Sequence, residues 1–470
     1  MRTKKKNIKS RLIVLVCFIV ILPVLWILVV RLEGEKPSIT LELPSPSLGK
    51  TQELSLSVSD AKSGVRRIWI GLIKDGKEVD LFKKDLPFAG LIRGGIIHQE
   101  SFKILVEPVK MGITDGKAIL RMVARDYSWR GWLQGNTTYL EKDVIIDTRA
   151  PEVGILSRAH NVNQGGAGLV IYRVSETCPN SGVFVGENFF PGYPGYFKDN
   201  NILMAFFALD YKQSPSVKIF VNATDFGGNN SKAGFQYYIK KRIFKKVPLE
   251  ISDQFLNWKM PEFDVGISPD SQAPLVDKFL KVNRALRKDN NGQILKIAEK
   301  TDKKLYWNGV FLRLPNSARK ASFADHRRYK YKGHVIDRQV HLGIDLASIA
   351  HSPIPASNRG KVVFVGHIGI YGKTIIIDHG FGLFSIYSHL SAFDGKMGKI
   401  VSKGEIIGRT GITGLAGGDH LHFGMLVNKT FVNPVEWWDA SWIKNNISGK
   451  INRVKTNPDK LSSGSARNNK

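Results

Sequence analysis

The run from Leu12 to Val30 constrains this chain more than any other feature: 19 consecutive apolar residues, weakened as a helix only by Pro23. That is about the length an α-helix needs to cross the hydrocarbon core of a bilayer. Arg2, Lys4, Lys5, Lys6, Lys9 and Arg11 precede the run, and Arg31 and Glu33 follow it. The flank richer in Lys and Arg stays in the cytoplasm. The sequence therefore predicts a cytoplasmic basic segment (1–11), one transmembrane anchor (12–30), and everything beyond it on the far side of the membrane. A cleaved signal peptide is the alternative. Its apolar region is usually shorter and ends at an A-x-A-like site, and no such site follows Val30. The two cysteines, Cys17 in the apolar run and Cys178 far beyond it, are placed too differently to pair. Neither can belong to a cysteine zinc cluster.

The 470 residues carry a formal net charge of +28. Such a balance draws a protein toward polyanions: nucleic acid, anionic lipid or an anionic cell-wall polymer. No zinc-finger spacing or helix-turn-helix accompanies the charge, so no nucleic-acid partner is expected. At roughly 100–200 residues per domain, the length calls for about three folded units.

Residues 35–245 read as β structure, with alternation in Thr40-Leu41-Glu42-Leu43 and in Leu54-Ser55-Leu56-Ser57-Val58. A weak repeat links Met122-Val123-Ala124-Arg125-Asp126-Tyr127 to Phe220-Val221-Asn222-Ala223-Thr224-Asp225-Phe226, with a fainter echo at Val58-Ser59-Asp60. Between the two clear copies, Asp147-Thr148-Arg149-Ala150-Pro151 forms a link whose proline biases Ala150 to an extended conformation. Two sandwiches follow, 35–149 and 150–245, with one irregular β domain as the alternative. The link resembles those of tandem bacterial immunoglobulin-like domains. A helical connector is expected over 246–302. Pro274 opens a helix there that buries Leu275, Phe279, Val282 and Leu286 and ends at Asn290-Asn291-Gly292, and a second short helix covers Gln293 to Ala298. Residues 303–440 are rich in glycine and short strands, with candidates at Lys361–Val365, Lys373–Ile377 and Leu383–Tyr387. The polar tail, 441–470, is expected to be disordered.

Nine of the eleven histidines lie in this last domain. His341-Leu342-Gly343-Ile344-Asp345 is an H-x-G-x-D pattern and His420-Leu421-His422 is H-x-H. Alternate residues of a strand share a face, so His420 and His422 project into one groove, and so do His341 and Asp345 on an extended segment. Gly343 argues against a helical H-E-x-x-H arrangement, and that motif is absent. Two imidazoles and a carboxylate suit Zn²⁺ and leave the fourth tetrahedral position open, whereas structural zinc sites are closed and usually use cysteines.

These motifs, in this order, resemble the lysostaphin/LytM-type zinc endopeptidases that cut peptidoglycan. The likeness runs from Ser322 to Trp438. It begins with Ser322-Phe323-Ala324-Asp325-His326-Arg327-Arg328. It continues through the H-x-G-x-D motif, Tyr387-Ser388-His389-Leu390, the glycine turns Gly408-Arg409-Thr410-Gly411 and Thr413-Gly414, and His420-Leu421-His422-Phe423, and closes at Asn433-Pro434. The resemblance implies a mainly β chain, tandem β-sandwiches followed by a β-rich peptidase domain. It also implies one Zn²⁺ per chain held by His341, Asp345 and His422, with His389 and His420 as catalytic histidines. Which of the two is the general base stays open. Tyr387 is a weaker candidate for the oxyanion. Ala416-Gly417-Gly418-Asp419 departs from the family's usual run before H-x-H, and Ala324-Asp325 stands where glycine is common. Asp419 reads as a solvated loop residue. His326, His334, His351, His367 and His379 match no catalytic position and read as surface or groove residues.

The function so implied is hydrolysis of peptide cross-links in peptidoglycan from an anchor in the bacterial inner membrane, N-terminus in the cytoplasm and catalytic domain in the periplasm or outside. A regulatory protein partner fits the same layout. The bond cut, a D,D-cross-link or a glycine bridge, is not distinguished. The alternative function is a non-catalytic activator of cell-wall amidases, a class that lacks one or more of the five positions.

Overall fold

The computed structural model describes residues 4–266 and 274–456. Among them, one helix, Lys4–Arg31, is long and apolar enough over Ser10–Arg31 to cross a membrane. The rest is mainly β, as the sequence predicts, and divides into two compact units. The first comprises residues 1–150 with 224–230, the second 151–223 with 231–470. The division at 150/151 coincides with the Ala150-Pro151 step.

In the first unit a three-stranded sheet (Ser38–Glu42, Gln52–Ser59, Gln99–Val106) accompanies a five-stranded sheet that includes Val65–Lys74, Gly116–Asp126 and Thr137–Ile146. Alternate residues from both, among them Leu54, Leu56, Ile68, Ile70, Leu120 and Met122, form one core. The repeated aspartate closes a turn each time. Asp126 Oδ1 accepts the backbone N–H groups of Ser128 (2.9 Å) and Asn136 (2.7 Å). Asp225 accepts from Asn229 N (2.9 Å) and Asn229 Nδ2 (3.0 Å), and Asp60 accepts from Gly64 N (2.6 Å). A carboxylate bound to backbone donors is a local alternative to the sheet ladder, so each copy of the repeat ends a strand.

In the second unit one hydrophobic core is continuous from Leu156 to Val454. The buried strands Ala167–Val174 and Ile202–Ala208 pair antiparallel and share that core with the later strands. An eight-stranded sheet carries the site. Its order is Ala318–Ala321, Ile344–Ala347, Leu421–Val427, Leu383–Leu390, Gly372–Asp378, Gly360–Ile368 and Ile400–Val401, with Thr430–Val432 paired to Leu421–Val427. The strands Leu383–Leu390 and Leu421–Val427 are buried at every residue, which accounts for their near-continuous apolar sequence. Lys246–Glu250 runs parallel to His326–Tyr331, which pairs antiparallel with His334–Val340 in a smaller sheet.

Three expectations change. Helix runs unbroken from Leu275 to Ile297, with a π-helical turn at Val282–Leu286, straight through Asn290-Asn291-Gly292. The asparagines do not end it because their side chains have tertiary partners. Buried Asn290 Oδ1 accepts from Ile370 N (2.9 Å), and Asn291 Oδ1 accepts from Tyr371 Oη (2.8 Å). The expected disordered tail is helical from Ala440 to Thr456, because Ile443, Ile447, Ile451 and Val454 recur at helical spacing and are buried. The rest of that tail, 457–470, lies outside the described residues. His379 is not a surface or groove residue. It is fully buried, its two ring nitrogens bonded to Arg359 O and Ser385 Oγ, both at 2.8 Å.

Candidate metal centre

Register brings the site together. Ile344–Ala347 pairs with Leu421–Val427 so that Asp345 lies directly opposite His422, and Leu383–Leu390 pairs on the other side with Ser388 opposite His422. His341 ends the segment just before Ile344. Its N–H donates to Asp325 O (3.0 Å), and Ala324 N donates to His341 O (2.8 Å). Ala324 is left-handed, with φ +59°, which is the physical reason glycine suits that position.

The three groups converge. His341 Nε2, His422 Nδ1 and Asp345 Oδ1 lie 2.9 Å from one another in each pair. His341 Nδ1 donates to Ser322 O at 3.0 Å, which turns the lone pair of Nε2 toward the other two. Asp345 Oδ2 accepts from Arg327 at 2.8 Å, so Oδ1 alone faces the imidazoles. The three residues are 4%, 4% and 8% exposed, too little for water to screen so many converging lone pairs.

The remaining two predicted residues border this triangle. His389, left-handed at φ +65°, turns out of its strand, and its Nδ1 donates to Thr413 O (2.8 Å). His420 Nδ1 donates to Gly418 O (2.7 Å), and its Nε2 lies 3.6 Å from Asp345 Oδ1. The two rings stand 4.8 Å apart, and His389 lies 5.8 Å from the His422 ring. Both histidines thus commit Nδ1 to a carbonyl and keep Nε2 for the groove.

Burial by itself would raise the Asp345 carboxyl. Electrostatic attraction to His341 and the polar contacts of His341, His420 and His422 outweigh it and hold Asp345 well below the usual range. Burial lowers His341, lowers His422 to about 4, and lowers His389 well below 6.5 with help from His420 and His422. His420 moves the other way: burial lowers it, but its hydrogen bond and attraction to Asp345 prevail. An ionised carboxylate with two neutral imidazoles is the protonation state metal ligands require.

Tyr387 is not at the groove. Its hydroxyl is buried between Ser357 N (2.8 Å) and Ser385 Oγ (3.0 Å). Tyr371 stands there instead, its ring 5.5 Å from that of His422. Sequence reasoning missed it because nothing in Gly369-Ile370-Tyr371 marks a site. The turn is placed by Asn290 and Asn291, about eighty residues earlier. Arg327 was visible within the Ser322–Arg328 segment, but its role as partner of Asp345 was not. Asp419 is half-buried rather than solvated, and its Oδ2 accepts from His351 N (3.3 Å). Leu249, Phe255 and Phe279 of the connector also line the groove.

Comparison with known proteins places this geometry. Residues 339–434 match the sequence model of Peptidase family M23. Over 97 residues the chain is 42% identical to the DD-carboxypeptidase/endopeptidase Mpg of Neisseria meningitidis serogroup B, which is 21% of this chain and 22% of that protein. Over 105 residues it is 34% identical to the peptidoglycan DD-endopeptidase ShyA of Vibrio cholerae serotype O1, covering 22% and 24%. The catalytic domain of lysostaphin from Staphylococcus simulans is a structural neighbour at 30% identity and TM-score 0.23, covering 27% of this chain and 94% of that one. The chain spans less than a quarter of the length of these two curated relatives. Within it, the matched segment is a peptidase M23 domain of the LytM type.

Proposed function

We propose that this protein is a membrane-anchored zinc endopeptidase that hydrolyses peptide cross-links in peptidoglycan. The observation that carries the reading is the buried triangle of His341, Asp345 and His422 with the two histidines His389 and His420 beside it. With Asp345 ionised and the His341 proton given to Ser322 O, lone pairs converge at 2.9 Å, and a cation relieves their repulsion. Zn²⁺ fits this donor set. Bonds of about 2.0–2.1 Å in tetrahedral geometry ask for ligand atoms roughly 3.3 Å apart, a small expansion of the triangle. When bound, the metal supplies a Lewis acid and lowers the pKa of a coordinated water to about 7.

The chain's own residues divide the remaining work. Asp345 stays ionised, and Arg327 fixes which of its oxygens faces inward. His389, neutral and with Nδ1 already donating to Thr413 O, presents Nε2 as a proton acceptor. His420, drawn toward its protonated form by Asp345, presents Nε2–H as a donor to the developing oxyanion or the leaving amine. The Leu12–Val30 helix holds the peptidase at the outer face of the bacterial inner membrane, where peptidoglycan is the substrate within reach. The name of the Vibrio cholerae relative, a peptidoglycan DD-endopeptidase, supports that substrate class.

The test is digestion of purified sacculi with the full chain in detergent, followed by mass analysis of the released muropeptides, with His422→Ala and chelator controls. Release of cross-linked peptides as monomers is expected, and it should be lost in both controls. A folded, zinc-loaded protein that releases nothing would overturn the enzyme reading in favour of a regulator of amidases. New glycan ends without peptide cleavage would overturn the endopeptidase assignment.

A further inference from the structure

Beside the metal groove lies a second cavity whose wall is cationic. Lys212, Lys246, Arg287, His326, Arg328 and Arg338 line it, and none of its lining residues is acidic. It adjoins the metal groove, with which it shares Arg287, Arg327 and Leu342. The sheet builds this concentration of charge. Arg328 sits directly opposite Arg338 across the antiparallel ladder, and Lys246 sits opposite His326 in the neighbouring parallel register. The like charges of Arg328 and Arg338, opposed across the ladder, destabilise the sheet. Asp337, adjacent to Arg338, is already held by Arg284 (3.0 Å) and Asn283 (2.7 Å). Among the described residues Arg287 bonds to the neutral Asn283, at 3.2 and 2.7 Å. Arg328, Arg338, Lys246 and Lys212 are exposed, and among the described residues none of them has a carboxylate partner.

We propose that this cavity is an anion subsite that takes carboxylates of the peptide substrate whose scissile bond lies over the metal centre. The inference rests on the peptidase reading above and adds to it a substrate class: acidic peptides, engaged through free carboxylates one cavity away from the cut. Paired guanidinium groups match carboxylate geometry with two parallel N–H donors each. Adjacency to the groove favours a substrate extension over a free anion, because one extended peptide can reach from the metal centre to this cavity.

The probe is a disaccharide tetrapeptide from digested sacculi, compared with the same compound after its carboxylates are converted to amides. Binding to the zinc-loaded full chain in detergent is measured by calorimetry, independently of any cleavage. Wild type should bind the native probe at least about tenfold tighter than the amidated one. The double variant R328Q/R338Q should bind the two alike, and R328K/R338K should recover part of the preference. Equal affinity of the wild type for both probes would overturn the proposal, as would a preference that survives in R328Q/R338Q. Displacement by micromolar inorganic phosphate, with no preference between the probes, would assign the cavity to phosphate and overturn it as well. A carboxylate preference in a protein that digests no sacculi would support the subsite while rejecting the peptidase reading.

Discussion

Gly343→Ala should disable the metal centre without touching a ligand. Gly343 is not left-handed, so its role is space. A Cβ there would lie 2.5 Å from His422 Nε2, 2.6 Å from its Cε1 and 2.8 Å from the carbonyl oxygen of Phe423. Restoring an ordinary 3.4 Å contact requires the imidazole to retreat by about 0.9 Å. The Phe423 carbonyl cannot yield in its place, because Phe423 is registered against Ile344 and Tyr387 in the centre of the sheet. The imidazole is hemmed in by the rings of His341, His389 and Tyr371. A displacement near 1 Å costs on the order of 100-fold in rate, and overpacking costs roughly 1–3 kcal/mol of stability. Zinc affinity by chelator competition should fall by at least tenfold, cleavage of sacculi by about 100-fold, and the melting temperature by several degrees. Gly292→Ala is the control. Its Cβ meets nothing within 4 Å on a helix, and it should stabilise by about 0.5–1 kcal/mol with zinc binding intact. A Gly343→Ala protein with wild-type zinc affinity and turnover would refute the steric argument.

Other outcomes follow from the same contacts. His389→Ala and His420→Ala should each lower kcat by roughly 10²–10⁴ while retaining zinc, whereas His341→Ala, Asp345→Ala and His422→Ala should lose the metal, as read by elemental analysis. Asn290→Ala leaves the buried Ile370 N–H without its acceptor. It should cost about 1–3 kcal/mol in a denaturant melt and raise KM through the Tyr371 turn. Lys450 is buried, donates to Leu169 O at 3.0 Å, and is lowered by burial to about 7. The unfolded lysine keeps its proton to about 10.5 and the folded one only to about 7, so this residue makes stability rise with pH between those values. Lys450→Met should remove that slope and be more stable below pH 7, by up to about 4 kcal/mol, in melts recorded across pH.

The five site positions were legible because their chemistry is local to short motifs. H-x-G-x-D and H-x-H put their donors on one face of an extended segment, and the structure brings all five side chains into one groove. The strands around them were legible as apolar runs, although each runs past its predicted C-terminal end. What could not be read depends on partners far away in sequence. Asn290-Asn291-Gly292 looks like a helix stop until Ile370 and Tyr371 are known to satisfy the two asparagines. His379 looks like a surface or groove residue until Ser385 and Arg359 enclose it. The spacing of Ile443, Ile447, Ile451 and Val454 is helical, but polar neighbours hide it in composition. A regular strand would put Tyr387 and His389 on one face, and the left-handed backbone at His389 breaks that alternation.

The connector has a consequence for how such a peptidase can be inherited. Leu249, Phe255 and Phe279 wall the groove, and Asn290 and Asn291 hold the turn that carries Tyr371, yet all five precede the segment that sequence similarity delimits at 339–434. A graft of the recognisable segment alone into another chain would carry the metal ligands but leave one bank of the groove behind. Any recombination that preserves this groove must also keep the core that is continuous from Leu156 to Val454, so the connector and the matched segment are inherited together with the preceding strands.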